Sequence, residues 1–378
     1  MTKTILVTGG AGYIGSHACK ALARAGYEPI AYDSLVRGHR DAVRWGPLVE
    51  GDLADRVLLA ATLKRHRIAA VMHFAAFAYV EESVREPALY FRNNVVNTLG
   101  LFEAMREAGA SRIVFSSTCA TYGVPERVPI AEDTPQRPVN PYGEGKLMVE
   151  RALHWLDAAY GLKFAALRYF NAAGADPDGE IGENHEPETH LIPLILQTAL
   201  KQRAEIAIYG TDYPTPDGSA VRDYIHVQDL AEAHVRALQY LEGGGASVAL
   251  NLGTGTGHSV RETIACAERV TGLSIPKREA PRRAGDPPML VADARRARTV
   301  LGWQARLSDL DTIVATAWAW HSSHAGHSAP ACGAAGGRWP SKPPTAASQR
   351  RSPPRRMRPF GSRASSSSRA TANSSSRA

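Results

Sequence analysis

The 378-residue chain has only four cysteines, Cys19, Cys119, Cys266 and Cys332, scattered without paired spacing. That excludes both a disulfide framework and a thiolate metal site. Long apolar runs are missing as well: none approaches the roughly 18 residues needed to cross a bilayer. No basic and apolar leader precedes the first apolar segment, so a cytoplasmic protein with no membrane partner is expected. The nearest approach to a metal motif is His185-Glu186-Pro187-Glu188-Thr189-His190. Its histidines are five apart with a proline between them, so they cannot share a helical face, and no metal is expected. Acidic residues are absent past His321: of the 44 Lys and Arg, ten fall there, leaving 34 basic residues against 37 acidic in the rest. The formal charge of +7 therefore belongs to the tail, and no nucleic-acid partner is implied. From 322 to 378 the chain is rich in Ser, Ala, Pro, Gly and Arg without helical or strand period, and disorder is expected.

What is present is a folded protein's composition, 44% apolar, with a regular rhythm. Apolar strand candidates at 5–7, 29–32, 48–50, 70–74, 112–116 and 164–168 alternate with helical stretches. This predicts an α/β fold with a doubly wound parallel sheet of the Rossmann type over residues 1–170. After Asn171 the pattern loosens into loops, a helix at 191–202 and short strands at 206–209 and 248–252. This reads as a smaller mixed α/β substrate-binding lobe over 171–321, with segments near 222–255 returning to the sheet. Ligands of such sheets lie beyond the carboxyl ends of the strands, which here carry Gly9, Asp33, Asp52-Leu53, Phe74-Ala75-Ala76, Ser116-Ser117-Thr118 and Tyr169-Phe170-Asn171.

The first strand runs into Thr8-Gly9-Gly10-Ala11-Gly12-Tyr13-Ile14-Gly15, which spaces Gly9, Gly12 and Gly15 as G-x-x-G-x-x-G before a helix at 15–25 that closes on Gly26. A strand, tight turn and helix aim free backbone N–H groups and the positive helix end at a pyrophosphate, and side chains at the glycines would obstruct it. Asp33, ending the second strand, stands where a carboxylate accepts hydrogen bonds from an adenosine ribose and repels a 2′-phosphate, favouring NAD over NADP. A second run, Gly253-Thr254-Gly255-Thr256-Gly257, lacks a following acidic strand end and reads as a turn.

Asn140-Pro141-Tyr142-Gly143-Glu144-Gly145-Lys146 opens a helix, with Asn140 as N-cap and Pro141 in the first turn. Tyr142 and Lys146 then share a face. A phenol is a poor base at neutral pH, and lowering its pKa by about three units takes roughly 4 kcal/mol, which an adjacent ammonium and a nearby pyridinium can supply. With Ser116-Ser117-Thr118 some way upstream, these parts can bind a nicotinamide and move one proton from a substrate hydroxyl.

On these blocks, residues 3–321 resemble the extended short-chain dehydrogenase/reductases, and within them the UDP-hexose 4-epimerases. The match continues through Tyr122-Gly123, Lys146-Leu147-Met148-Val149-Glu150, Arg168-Tyr169-Phe170-Asn171, Asp212-Tyr213-Pro214-Thr215, Val221-Arg222-Asp223-Tyr224-Ile225-His226-Val227, Asn251-Leu252-Gly253 and Arg282-Arg283 with Gly285-Asp286. The resemblance implies interconversion of UDP-glucose and UDP-galactose through a 4-keto sugar on tightly bound NAD, by a homodimer. It implies Tyr142, Lys146 and Thr118 as catalytic residues. Around NAD it implies Gly9, Gly12, Tyr13, Ile14, Gly15, Asp33, Asp52, Leu53, Phe74, Ala75, Ala76, Asn94, Ser116, Tyr142, Lys146 and Tyr169. Around the UDP-sugar it implies Thr118, Phe170, Asn171, Leu191, Tyr209, Arg222, Arg283, Asp286 and Leu290.

Two departures stand out: Glu81 occupies a position that is commonly glycine in the family, and Leu290 aligns with the position that gates an N-acetyl group. UDP-xylose/UDP-arabinose and UDP-N-acetylglucosamine 4-epimerases are the neighbouring alternatives. A 4,6-dehydratase would need an Asp-Glu pair where Cys119-Ala120 stands. A NAD-sensing regulatory protein on the same scaffold would usually have lost the Tyr and Lys.

Overall fold

Strand segments that are apolar on both faces bury themselves only between two layers of helices, and the computed structural model, which describes residues 2–283 and 285–324, shows that arrangement. The strands are β1 (Thr4–Thr8), β2 (Glu28–Asp33), β3 (Leu48–Glu50), β4 (Ala70–His73), β5 (Arg112–Thr118), β6 (Lys163–Tyr169), β7 (Asn171–Ala173), β8 (Ile206–Tyr209), β9 (Val221–Arg222), β10 (Tyr224–His226), β11 (Val248–Leu252), β12 (His258–Ser259), β13 (Lys277–Ala280) and β14 (Met289–Leu290). The helices are α1 (Tyr13–Arg24), α2 (Arg56–Arg65), α3 (Val80–Arg85), α4 (Pro87–Phe91), α5 (Asn97–Ala108), α6 (Pro141–Tyr160), α7 (Leu191–Ala199), α8 (Val227–Glu242), α9 (Val260–Thr271), α10 (Arg295–Leu301) and α11 (Leu310–Ser323).

Seven strands form one parallel sheet in the order β11-β6-β5-β4-β1-β2-β3. Alternation along β1 splits the core: Ile5 and Val7 pack with α1 and α8, whereas Leu6 packs with α2, α5 and α6. The strand order reverses between β1 and β4, so the loops after them diverge and leave a crevice at the carboxyl edge. A smaller lobe is built on α7, α9 and α11, whose Ile195, Ile264 and Ile313 share a core with Ile206 and Ile208 of β8.

Two boundaries move. The helix starting at Leu191 ends at Ala199 rather than 202, and Lys201 then takes a left-handed φ of 60°. The last helix runs to Ser323, past the expected tail onset at 322; the disorder expected for the rest of the tail, and Cys332, lie outside the described residues. Among the described residues, no helix is long and apolar enough to cross a membrane.

A buried polar network ties the sheet to α6. Glu150 (2% exposed) on α6 pairs with Arg168 (5%) on β6 at 2.6 Å. Arg168 Nη1 donates to the Tyr122 hydroxyl at 2.8 Å, which donates to Asn251 Oδ1 of β11 at 2.8 Å. Ser117 of β5 donates to Glu150 as well. Removing one member of such a pair leaves a buried charge uncompensated. Glu150→Ala is therefore expected to lower stability by about 3–5 kcal/mol, read as a fall in the urea midpoint, with Glu150→Gln losing less because its amide oxygen still accepts.

Candidate functional site

The turn after β1 is shaped by what its glycines exclude. Gly9 has φ +74°, and a Cβ there would lie 2.6 Å from Ala75 N; a Cβ on Gly15 would lie 2.0 Å from Gly9 O. The turn thus packs backbone to backbone against the β4 loop and against its own helix. Gly12 differs: a Cβ there would meet a single atom within 4 Å, Gly9 O at 3.3 Å, so it is less tightly enclosed than Gly9 and Gly15. Gly12 is also the N-cap of α1, with no side-chain cap, which leaves the first-turn amides of Tyr13 and Ile14 without helical partners of their own. An uncapped helix end of this kind fits a pyrophosphate.

Asp33 closes the turn from the β2 end, accepting from Ala11 N at 3.0 Å and Leu35 N at 2.9 Å. Burial pushes its pKa up, against those two amides. Leu53 is buried beside β2, while exposed Asp52 accepts from Ala54 N at 2.8 Å. Across the crevice, Phe74 packs tilted against His234, with ring centroids 4.7 Å apart, and Ala75 N donates to Thr8 O. Half-buried Ala76 continues the same loop. Asn94 is buried with its amide engaged: Phe77 N donates to Oδ1 and Nδ2 donates to Phe77 O. Its side chain holds that loop in place. Tyr13 bridges the two lobes, its hydroxyl donating to Gly174 O at 2.7 Å.

Thr118, Tyr142 and Lys146 meet at the end of β5. Asn140 Oδ1 caps α6 through Gly143 N at 2.8 Å, and Pro141 occupies the first turn. A Cβ on Gly143 would lie 2.6 Å from Ala120 O, so this glycine lets α6 start directly on the turn that follows Thr118. Tyr142 is half-buried and lies beside the Thr118 side chain. Lys146 Nζ donates to Ser116 O at 2.7 Å and stands 5.9 Å from the Tyr142 ring centroid. Ser116 Oγ and the Tyr169 hydroxyl are 2.7 Å apart. The electrostatics differ from the sequence expectation. Burial pushes the Tyr142 phenol well above its ordinary value, and burial brings the Lys146 ammonium down to about 7, opposed only by Glu150. The protein alone does not lower the phenol; a positive ring beside it is required.

Several of the residues implied for UDP-sugar contact one another. Phe170 packs with Cys119, Tyr122, Ile130 and Leu290. Asn171 Nδ2 donates to Asp223 O at 3.2 Å, and Leu191 opens α7. Arg283 lies over the Tyr209 ring at 4.1 Å, and Arg222 pairs with Asp286. Glu81 reaches Arg283 at 3.8 Å, which directs its charge at the arginine implied for the diphosphate. The second glycine run is a turn closed internally: Asp223 accepts from Thr254 N, Gly255 N and Ala292 N. Sequence reasoning gave no role to Glu150, Arg168, Tyr122 and Asn251, although charged residues inside an apolar strand and helix were a signal.

A parallel sheet with an uncapped glycine turn at its switch point and a Tyr-Lys pair at its carboxyl edge define a nucleotide-dependent redox scaffold. The sequence profile of the NAD dependent epimerase/dehydratase family matches residues 5–253, and the chain belongs to that family. It is 52% identical over 322 residues to the UDP-glucose 4-epimerase of Lacticaseibacillus casei, covering 85% of this chain and 97% of that one. Among solved structures it is similar to UDP-glucose 4-epimerase from Brucella ovis in complex with NAD (53% identity, TM-score 0.82, 84% and 98% covered). It is also similar to that from Stenotrophomonas maltophila with bound NAD and formylated UDP-arabinopyranose (43%, 0.84, 86% and 100%).

Lys146 yields a pH prediction. Its folded pKa lies near 7 and its unfolded value near 10.5, so the unfolded chain binds more protons between those limits and stability rises with pH across them. The cost of burying the charge is full below pH 7, at about 5 kcal/mol as an upper bound. In nucleotide-free protein, Lys146→Met is expected to melt higher than the parent at pH 6.5, with the gap narrowing towards pH 10.

Proposed function

We propose that the protein interconverts UDP-glucose and UDP-galactose by inverting C4 of the sugar, holding NAD throughout the cycle. The observation that carries this reading is half-buried Tyr142 beside Thr118, with Lys146 Nζ 5.9 Å from its ring, at the carboxyl edge of the sheet that also bears the glycine turn. When bound, NAD supplies reversible hydride acceptance at the sugar C4, so the cycle ends with no net oxidation. The Tyr142 oxygen takes the proton of the 4-hydroxyl and later returns it, and Thr118 holds that oxygen in place by a hydrogen bond. Lys146, fixed on Ser116 O, orients the nicotinamide ribose. Gly9, Gly12, Gly15 and the first turn of α1 hold the pyrophosphate, and Asp33 takes the adenosine ribose. Arg222 and Arg283 neutralise the substrate diphosphate, and Tyr209 offers its face to uracil. The 4-keto sugar must turn over before it regains hydrogen on the other face, so the pocket accepts two orientations.

Leu290 favours a second substrate. It packs against Phe170 and Cys119 on the sugar side, and a leucine leaves more room there than an aromatic gate, so an N-acetylated UDP-hexose fits the same pocket. Both ligands are cytoplasmic metabolites, and we place the activity in that compartment. We also read the protein as a homodimer through α4–α5 and α6, because Leu89, Val96, Leu99, Met148 and Trp155 are exposed along these helices.

Purified protein is expected to interconvert the two UDP-hexoses with no added coenzyme and no net NADH. Tyr142→Phe is expected to lower kcat at least about a hundredfold while the nucleotide stays bound. A panel of UDP-hexoses, their N-acetyl forms and UDP-pentoses reads the specificity; turnover that consumes coenzyme mole for mole would refute the reading. Light scattering is expected to give twice the chain mass, and Trp155→Asp to shift it towards the monomer.

A further inference from the structure

The segment between β7 and α7 gathers two carboxylates and two imidazoles at one point. Glu183, His185, Glu188 and His190 each present a ligand atom, and all four atoms lie within 4.8 Å of one another. Glu183 Oε1 is 3.1 Å from His185 Nδ1 and 2.9 Å from His190 Nδ1; Glu188 Oε1 is 2.9 Å from His190 Nδ1, and its Oε2 is 3.8 Å from His185 Nδ1. A tetrahedral ion with bonds of 2.0–2.1 Å spaces its donors about 3.3 Å apart, and these four separations bracket that length. The expectation of no metal rested on helical geometry. Here the donors converge from a loop, which needs no shared helical face.

We propose that Glu183, His185, Glu188 and His190 bind one divalent transition-metal ion of the zinc class and that this ion clamps residues 183–190 over the cofactor crevice. Two nitrogen and two carboxylate donors suit such an ion, whereas an all-oxygen set would suit calcium or magnesium. Glu183 and Glu188 are buried at the side chain (4% and 5% exposed), and among the described residues no lysine or arginine pairs with either. A nearby triad shows the contrast. Asp176, Asp178 and Glu180 also converge, but Lys20 Nζ donates to all three, and an ammonium already stands where a cation would. The clamped loop touches the cofactor side directly: His185 lies edge-on to Tyr13 and Tyr79, at 6.2 and 6.3 Å between ring centroids, and His39 Nε2 is 3.0 Å from Asn184 O. Around the cluster, Thr189 N and His190 N donate to Glu188 Oε1, and Trp320 Nε1 donates to Glu183 O, so the donors are held by second partners.

The test uses untagged, full-length protein stripped with a chelator, then incubated with Zn²⁺ or Co²⁺ and desalted. About one ion per chain is expected by elemental analysis, with visible d–d absorption for Co²⁺ and a higher melting temperature on zinc addition. The double variant His185→Ala/His190→Ala, folded by circular dichroism and still carrying nucleotide, is expected to lose all three signals. Wild-type protein that retains no ion and shows no Co²⁺ band overturns the proposal, whatever the variant does; so does a folded double variant that binds as the parent does. An imidazolium merely paired with the two carboxylates gives the first of these results. Because the readouts are metal content and absorption, they stand apart from the epimerase reading.

Discussion

The buried pair of Glu150 and Arg168 is the constraint on which the rest of the site depends. Thr118 ends β5, Tyr169 ends β6, and Tyr142 and Lys146 open α6; these elements are joined at depth by one carboxylate that takes Arg168 and Ser117 together. Buried ion pairs seldom add net stability over an apolar substitute, but they penalise every arrangement that separates the partners. That penalty suits a site whose proton transfer demands hydrogen-bond distance between elements from three parts of the chain. The extension through Tyr122 to Asn251 brings in β11, so the edge strand supplied late in the sequence is locked to the same point.

Above that network, the site is poised by what burial withholds. A phenol and an ammonium taken from water both move towards neutrality, Tyr142 up and Lys146 down, and neither shift favours proton abstraction. A positive ring entering the crevice reverses the phenol's balance, whereas the same charge disfavours the ammonium. The two groups therefore cannot respond alike to the cofactor. Lys146 keeps its place through Ser116 O, a neutral partner, so its position does not depend on its charge. On the function proposed above, coupling the phenol to the occupied crevice in this way makes proton abstraction conditional on the coenzyme being present.

Much of this was legible in the sequence for physical reasons. Unbroken apolar runs marked the six strands from β1 to β6, and the glycine spacing and Asp33 marked the crevice, because sterics and backbone charge act locally. Asn140 and Pro141 announced the start of α6 by capping chemistry alone. The electrostatic state of Tyr142 was not legible, since it depends on burial summed over distant segments. The pairing of Glu81 with Arg283 and the convergence of Glu183 with His190 were hidden for another reason. Each joins residues that no sequence period relates, and only the folded path sets their distance. The helix at 191 was overextended because Leu200 continues its apolar pattern, while the backbone turns left-handed at Lys201.

The two glycine runs show how the same local chemistry is assigned opposite uses. Both turns present consecutive amides, and such a concavity attracts an anion whether or not a helix follows. At Gly253–Gly257 the anion is internal: the Asp223 carboxylate takes the amides of Thr254 and Gly255, and a Cβ on Gly253 would strike that same carboxylate at 2.6 Å. At Gly9–Gly15 the Asp33 carboxylate takes one amide of the turn, Ala11 N, and turns its other oxygen to Leu35 N, leaving the end of α1 without a side-chain cap. Glycine count does not separate the two. What separates them is how many amides of the nest the fold's own carboxylate takes, and Asp223 arrives from β9–β10 because Asn171 of β7 holds the backbone on that strand register.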